Sequence, residues 1–226
     1  MVDGLPGGGQ SSQPTVLVSG RARDLLRRVP LQLLAERVED GDAVVVVTAR
    51  EDPGVVGRRL ATGVDAVDPD RVALVDCTTK DPDPPTRPGE LRWAVPSPAS
   101  FGDAVRAVED ALAALAARDA GRIHFLSDTF TTQFRLADPE DVLGHAHDVA
   151  MAVGGERGLA TLNVEHAAVT DREFGRLKHL VDAHVEVRRA GDDPEVRWTG
   201  LLGGSEGWVA LADTGLRFDA LGTSLG

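Results

Sequence analysis

Two rhythms of apolar and polar positions alternate along the chain. The runs "TVLVS" (15–19), "AVVVVTA" (43–49), "RVALVDC" (71–77), "RIHFLSD" (122–128) and "GLATLNV" (158–164) carry almost no polar alternation. Runs of this length and β-branched content predict parallel strands covered on both faces. Between them the apolar positions fall at helical spacing. A first helix is expected after Gly20, running to about Asp40, with Gly41 as its C-terminal cap. Pro30 lies beyond the first turn of a helix begun at Asp24, so the regular helix is expected to start nearer Arg28. A short helix from Pro53 to Ala61 follows, with Pro53 near its first turn. Ser100 and Asp103 form an N-terminal capping pattern ahead of Val105, Val108, Leu112 and Leu115. "DPEDVLGHAHDVAMAV" places Val142, Ala146, Val149, Ala150 and Val153 on one stripe. "TDREFGRLKHLVD" opens with a capping box from Thr170 to Glu173 and buries Phe174, Leu177 and Leu180 or Val181. "TTKDPDPPTRPGE" reads as an exposed loop, and "LRWAV" after it as a short strand.

The rhythm changes at the end. "HVEVRR", the turn "AGDDP", "EVRWTGLL" and "GWVALADTGLRFDAL" read as antiparallel strands and hairpins. Strand–helix alternation followed by such a meander implies an α/β three-layer sandwich with a mostly parallel central sheet and antiparallel C-terminal edge strands. A single domain is expected over residues 15–226, preceded by a disordered leader over residues 1–14, where Gly, Ser, Gln and Pro dominate.

Charge narrows the setting. The net charge is -12 and the pI about 4.9. Acid is carried mainly by Asp, 24 against 12 Glu, and base by Arg, 22 against the two lysines Lys80 and Lys178. An Asp-rich surface nearly free of Lys resembles that of halophilic archaeal proteins, where molar salt screens self-repulsion. The single cysteine, Cys77, sits in an apolar run and reads as a buried thiol. It excludes an internal disulfide and suits a reducing, cytoplasmic location. No stretch has the apolar length of a membrane span, so no membrane role is expected. Nucleic acid is an unfavoured partner, since no basic stripe is present and aromatics are few, although charge alone does not decide against DNA. Six histidines lack ligand spacing: His145 and His147 are two apart on a helix and face different ways. No metal site is expected.

The segment "VLVSGRARDLLRRVP" (16–30) places a strand, a glycine and a helix where many α/β proteins hold phosphate. "TAREDP" follows the second strand and "HFLSDT" ends the fourth, offering Glu51 and Asp128 at strand ends. The order of these pieces resembles the RecA/KaiC-like ATPase superfamily, over about Val16 to Leu201. That resemblance implies a RecA-like P-loop fold, with Gly20 at the first glycine of a G-x-x-x-x-G-K-T loop. Leu25 then stands at the second glycine, Leu26 at the lysine and Arg27 at the threonine. Asp128 takes the Walker B position, and Glu51 the second acid of "FEE", with Arg50 replacing the first.

The chemistry of such a loop needs a lysine against the β- and γ-phosphates and a hydroxyl on Mg²⁺. Leu26 is uncharged and Arg27 ligates no cation. The resemblance therefore implies a degenerate, catalytically inactive member, a pseudo-ATPase without cofactor, with a regulatory or protein-interaction role. A protein partner or self-association is expected, with Trp198 or Trp208 as exposed contact candidates. The alternative is an atypical nucleotide-binding protein or slow NTPase in which Arg21, Arg23 or Arg27 replaces the lysine and ATP with Mg²⁺ still binds. Blander readings are also open: the arginines are solvated or paired with carboxylates, Asp128 caps the loop at Thr129, and Glu51 serves a helix N-terminus.

Overall fold

The computed structural model describes residues 14–35, 41–52, 55–56, 60, 68–78, 91–154, 158–200 and 207–211. Most of the expected leader, the end of the first helix, most of the 53–61 helix, the proline-rich loop and the last hairpin lie outside these residues.

Among the described residues nine strands form one sheet: β1 (Thr15–Gly20), β2 (Ala43–Thr48), β3 (Val72–Asp76), β4 (Leu91–Ala94), β5 (Ile123–Ser127), β6 (Ala160–Glu165), β7 (Ala183–Ala190), β8 (Asp193–Gly200) and β9 (Val209–Ala210). Their order is β4-β3-β2-β5-β6-β1-β7-β8-β9. From β4 to β7 every pairing is parallel, whereas β8 and β9 add antiparallel. The unbroken apolar runs are the cause. β1, β2, β5 and β6 are buried at every position, which is possible only with helices on both faces.

Alternate residues divide between the two faces. Val16 and Val18 of β1, with Val185 and Val187 of β7, pack under α1 (Arg23–Ala35). Val44 and Val46 of β2 meet Leu34 of the same helix and the helical residues Val56 and Leu60. Leu17, Val45, Val47 and Phe125 point the other way, into the larger core. There they meet α2 (Phe101–Ala116), α4 (Pro139–Val153) and, through Leu177, α5 (Asp171–Lys178). A seven-residue helix, α3 (Phe130–Leu136), contributes Phe130 and Phe134 to that core. Each fully buried Val or Leu contributes about 1.5–3 kcal/mol. α/β layering with a largely parallel sheet is therefore the observed architecture.

Caps follow the sequence unevenly. Thr170 and Glu173 form the expected reciprocal capping box of α5. Asp138 caps α4 through the Glu140 N–H. Ser100 occupies the N-cap of α2 but makes no side-chain cap bond, so the Ser100–Asp103 pattern does not operate.

The start of α1 departs from expectation. Helix begins at Arg23, not near Arg28, and Pro30 lies inside it. Proline has no N–H, so the Leu26 carbonyl loses its ordinary donor four residues on. Asn163 Nδ2, from β6, donates to that carbonyl at 3.0 Å. A side chain from the sheet thus replaces the missing backbone bond, and the helix continues through the proline.

Candidate functional site

Ligands of open parallel sheets bind outside the carboxyl ends of the strands, where neighbouring strands send their connections to opposite faces. Two such points occur here. β1 leads into α1 on one face while its neighbour β6 leads to α5 on the other. β2 and β5 diverge in the same way. Gly20, Glu51, Asp128 and Glu165 all lie at or just beyond these strand ends.

Between β1 and α1 stand only Arg21 and Ala22. The first turn is already closed by the Leu26 N–H donating to the Ala22 carbonyl at 3.1 Å. Residues 25–27 are therefore helix, and no loop long enough to wrap a phosphate separates strand from helix. Leu25 and Leu26 are 1% and 2% exposed and pack with Val16, Val18, Val29 and Val185. Gly20 has a different reason to be glycine. A Cβ there would lie 2.3 Å from the Val187 carbonyl oxygen of the adjacent strand.

The polar centre of this edge is Glu165, at the end of β6 and 3% exposed. Three guanidinium groups from three elements hold it. Arg23 Nε of α1 lies 2.8 Å from Oε1, Arg50 Nη2 beyond β2 lies 2.7 Å from Oε1, and Arg135 Nη2 of α3 lies 2.6 Å from Oε2. The Glu165 N–H donates to Thr131 Oγ1 at 2.9 Å. Burial alone would raise this carboxyl's pKa, but the bond and charge of Arg50, then the charges of Arg23 and Arg135, hold it below the usual glutamate value.

At the second divergence, Arg27 Nη1 pairs with Glu51 Oε1 at 2.9 Å. Asp128 does not cap its own loop; the Thr129 N–H reaches Ser127 Oγ instead. Asp128 Oδ1 accepts the Ala49 N–H at 3.1 Å, tying β5 to the end of β2. Desolvation pushes the Asp128 carboxyl up to about 6, against the lowering effect of the Ala49 N–H and Arg50. Arg27, Leu31, Val46, Glu51, Val56, Leu126, Asp128 and Asn163 line a small open cleft.

A polar cluster of another kind lies on the opposite face. The buried Ser19 hydroxyl meets His166 Nε2 at 2.8 Å and His184 Nε2 at 2.7 Å. A hydroxyl has one proton, so it donates to one imidazole and accepts from the other. Desolvation lowers both histidines, His184 to about 4. His145 is stacked on Phe101 and is likewise lowered by burial to about 4. His124 Nε2 faces Asp42, and its Nδ1 accepts the Leu159 N–H. Among the described residues no three His, Cys, Asp or Glu side chains converge as a metal site. Cys77 is buried, and desolvation pushes its thiol up to about 12.

A family model described as "Family of unknown function (DUF7504)" matches residues 14–187. The chain belongs to this family. The DUF7504 match spans β1 through most of β7, the parallel part of the sheet and both divergence points. No curated protein matches the chain. Among solved structures it is similar to the uncharacterized protein PH0321 from Pyrococcus horikoshii, crystallised in complex with an unknown peptide. That match has 14% identity and a TM-score of 0.59, covering 88% of this chain and 87% of PH0321. An α/β fold is thus shared over 88% of this chain. Among the described residues no helix is long and apolar enough to cross a membrane.

Of the sequence-predicted positions, Arg23 reaches the Glu165 cluster, whereas Arg27, Glu51 and Asp128 meet at the second divergence. Arg21 is exposed. Trp198 and Trp208 are half-buried rather than exposed. Trp198 packs under the sheet with the α1 cluster, and the Arg188 guanidinium lies 4.0 Å from the Trp208 ring centroid. Sequence reasoning missed Glu165, Arg135 and Asn163. For Glu165 and Asn163 the available signal was an acid and an amide inside "LNVE", in a fully buried strand whose other residues, Thr161 apart, are apolar.

Proposed function

We propose that this DUF7504 chain is a catalytically silent, degenerate relative of the RecA/KaiC-like ATPases that acts as a regulatory or protein-interaction module. The observation that carries the reading is Glu165. A carboxylate belonging to the chain lies at the β1–β6 divergence, gripped by three guanidinium groups that would otherwise attract an anion. The layered α/β sheet, with β1 in its interior and antiparallel strands at one edge, is in keeping with a P-loop-like ancestry.

Mg-ATP does not fit these residues. Leu25 and Leu26 are core side chains, Arg27 offers no metal-binding hydroxyl, and the two-residue link between β1 and α1 presents no loop of converging N–H groups. The alternative, arginines in place of the lysine, is disfavoured at two of its three positions, because Arg23 is engaged by Glu165 and Arg27 by Glu51, while Arg21 is exposed. The peptide bound to PH0321 is in keeping with a protein or peptide partner for this architecture.

Thermal unfolding in molar KCl, with and without millimolar Mg-ATP, tests the reading. The expected result is no shift in midpoint and no steady release of phosphate. A rise of several degrees that disappears in Arg21→Ala, Arg23→Ala or Arg27→Ala would establish the nucleotide-binding alternative.

A further inference from the structure

We propose that the cleft beneath α1 binds a primary ammonium group carried on a short aliphatic stem. The proposal goes beyond the silent-ATPase reading and does not depend on it.

Asn163 is 6% exposed and lines the cleft, yet its Oδ1 has no hydrogen-bond partner among the described residues. Its amide cannot be turned over. Nδ2 is committed to the Leu26 carbonyl, and the reverse orientation would set two acceptors against each other. Asn163 therefore offers the cleft an acceptor only. Asp128 does the same. Its Oδ1 takes the Ala49 N–H, while Oδ2 has only a long 3.4 Å contact from the Thr48 hydroxyl. A group satisfying both must bring at least two donated hydrogens.

Charge points the same way. Of the charges that line the cleft, Arg27 and Glu51 pair with each other and Asp128 makes no ion pair among the described residues, although the Arg50 guanidinium, outside the lining, favours its ionised form. An ammonium suits it better than a guanidinium. With Oδ1 occupied, Asp128 has no two-oxygen face for a planar fork, whereas an ammonium is a compact donor that needs one oxygen from each partner. Leu31, Val46, Val56 and Leu126 supply apolar walls for the stem. The group could be a free amine or the lysine side chain of a partner, since both present the same chemistry.

The test is a titration of the ¹⁵N-labelled full chain with n-butylammonium chloride at constant ionic strength, following the Asn163 side-chain amide. A capped Gly-Lys-Gly peptide and tetramethylammonium, which has no N–H, are titrated in parallel. Expected are a saturable shift with butylammonium, none with tetramethylammonium, and affinity weakened about tenfold or more in Asp128→Asn. Asn163→Ala also loses the Leu26 bond and with it stability, so Asp128→Asn carries the comparison. A tighter response to the peptide assigns the site to a partner's lysine, and a tighter response to butylammonium assigns it to a free amine. No saturable shift with either probe, or equal responses to tetramethylammonium, overturns the proposal. ATP binding would overturn the silent-ATPase reading and leave this one standing.

Discussion

Replacing Glu165 with Gln removes one charge from the centre of the β1–β6 edge and keeps its size. Gln brings two N–H donors to a carboxylate position faced by three guanidinium groups, so one oxygen remains where two accepted. Arg23 and Arg135 are 61% and 45% exposed, and pairs of that kind contribute about 0.2–1 kcal/mol each. Arg50 is 17% exposed and partly desolvated, so its charged hydrogen bond is worth about 1.5–3 kcal/mol. The sum, about 2–5 kcal/mol, corresponds to a fall in midpoint of roughly 5–20 °C for a chain of this length. Circular dichroism melts in molar KCl isolate the Arg50 share, because the exposed pairs are screened there. The variant should also acquire a property that the parent lacks. With its own anion gone, inorganic phosphate should raise the midpoint of Glu165→Gln and leave the wild type unmoved. The acid limb gives a third readout. The folded pKa lies below the ordinary value of 4.5, so the contribution of Glu165 is present above that pH and is lost as pH falls through the folded value. Glu165→Gln should flatten that limb. A variant within about 0.5 kcal/mol of wild type and indifferent to phosphate would refute the idea of a built-in counter-ion.

Three further outcomes are expected. Asn163→Ala should cost about 1–3 kcal/mol by leaving the Leu26 carbonyl unpaired, and Pro30→Ala should recover part of that loss, measured as a non-additive double-mutant cycle in urea. His145 and His184 have folded pKa values near 4 against 6.5 unfolded, so their contribution is complete above pH 6.5 and declines as pH falls toward 4. Asp128, raised to about 6, opposes this with a single group, so the urea midpoint should still fall with acidification, less steeply in His145→Gln. Gly20→Ala should destabilise strongly or prevent folding, because its Cβ meets the Val187 backbone oxygen at 2.3 Å; a melting point within a degree or two of wild type would contradict this packing.

The strands were legible because a doubly covered parallel strand has no polar face, and "AVVVVT" or "TVLVS" satisfies that constraint locally. The order of layers followed from their alternation with helices. The start of α1 was not legible. Pro30 breaks a helix by local rules, and the group that rescues it, Asn163, lies more than a hundred residues away in sequence. Glu165 escaped notice for the same reason, since its three partners come from α1, the segment after β2, and α3. Gly20 was visible as a required glycine, but the requirement comes from a neighbouring strand's backbone and not from a phosphate loop. Local pattern reports what each residue prefers, whereas these sites are decided by what distant elements deliver to one edge.

The two-residue link between β1 and α1 sets a limit on protein engineering here. Writing lysine and threonine into positions 26 and 27 would drive an ammonium into hydrocarbon beside Val16 and Val18, without freeing any backbone to embrace a ligand. Substitution rearranges chemistry at fixed chain length, and what this junction lacks is length. Any route to a triphosphate-binding version must begin with an insertion, and the leucines would have to retreat along the helix before new residues could take effect.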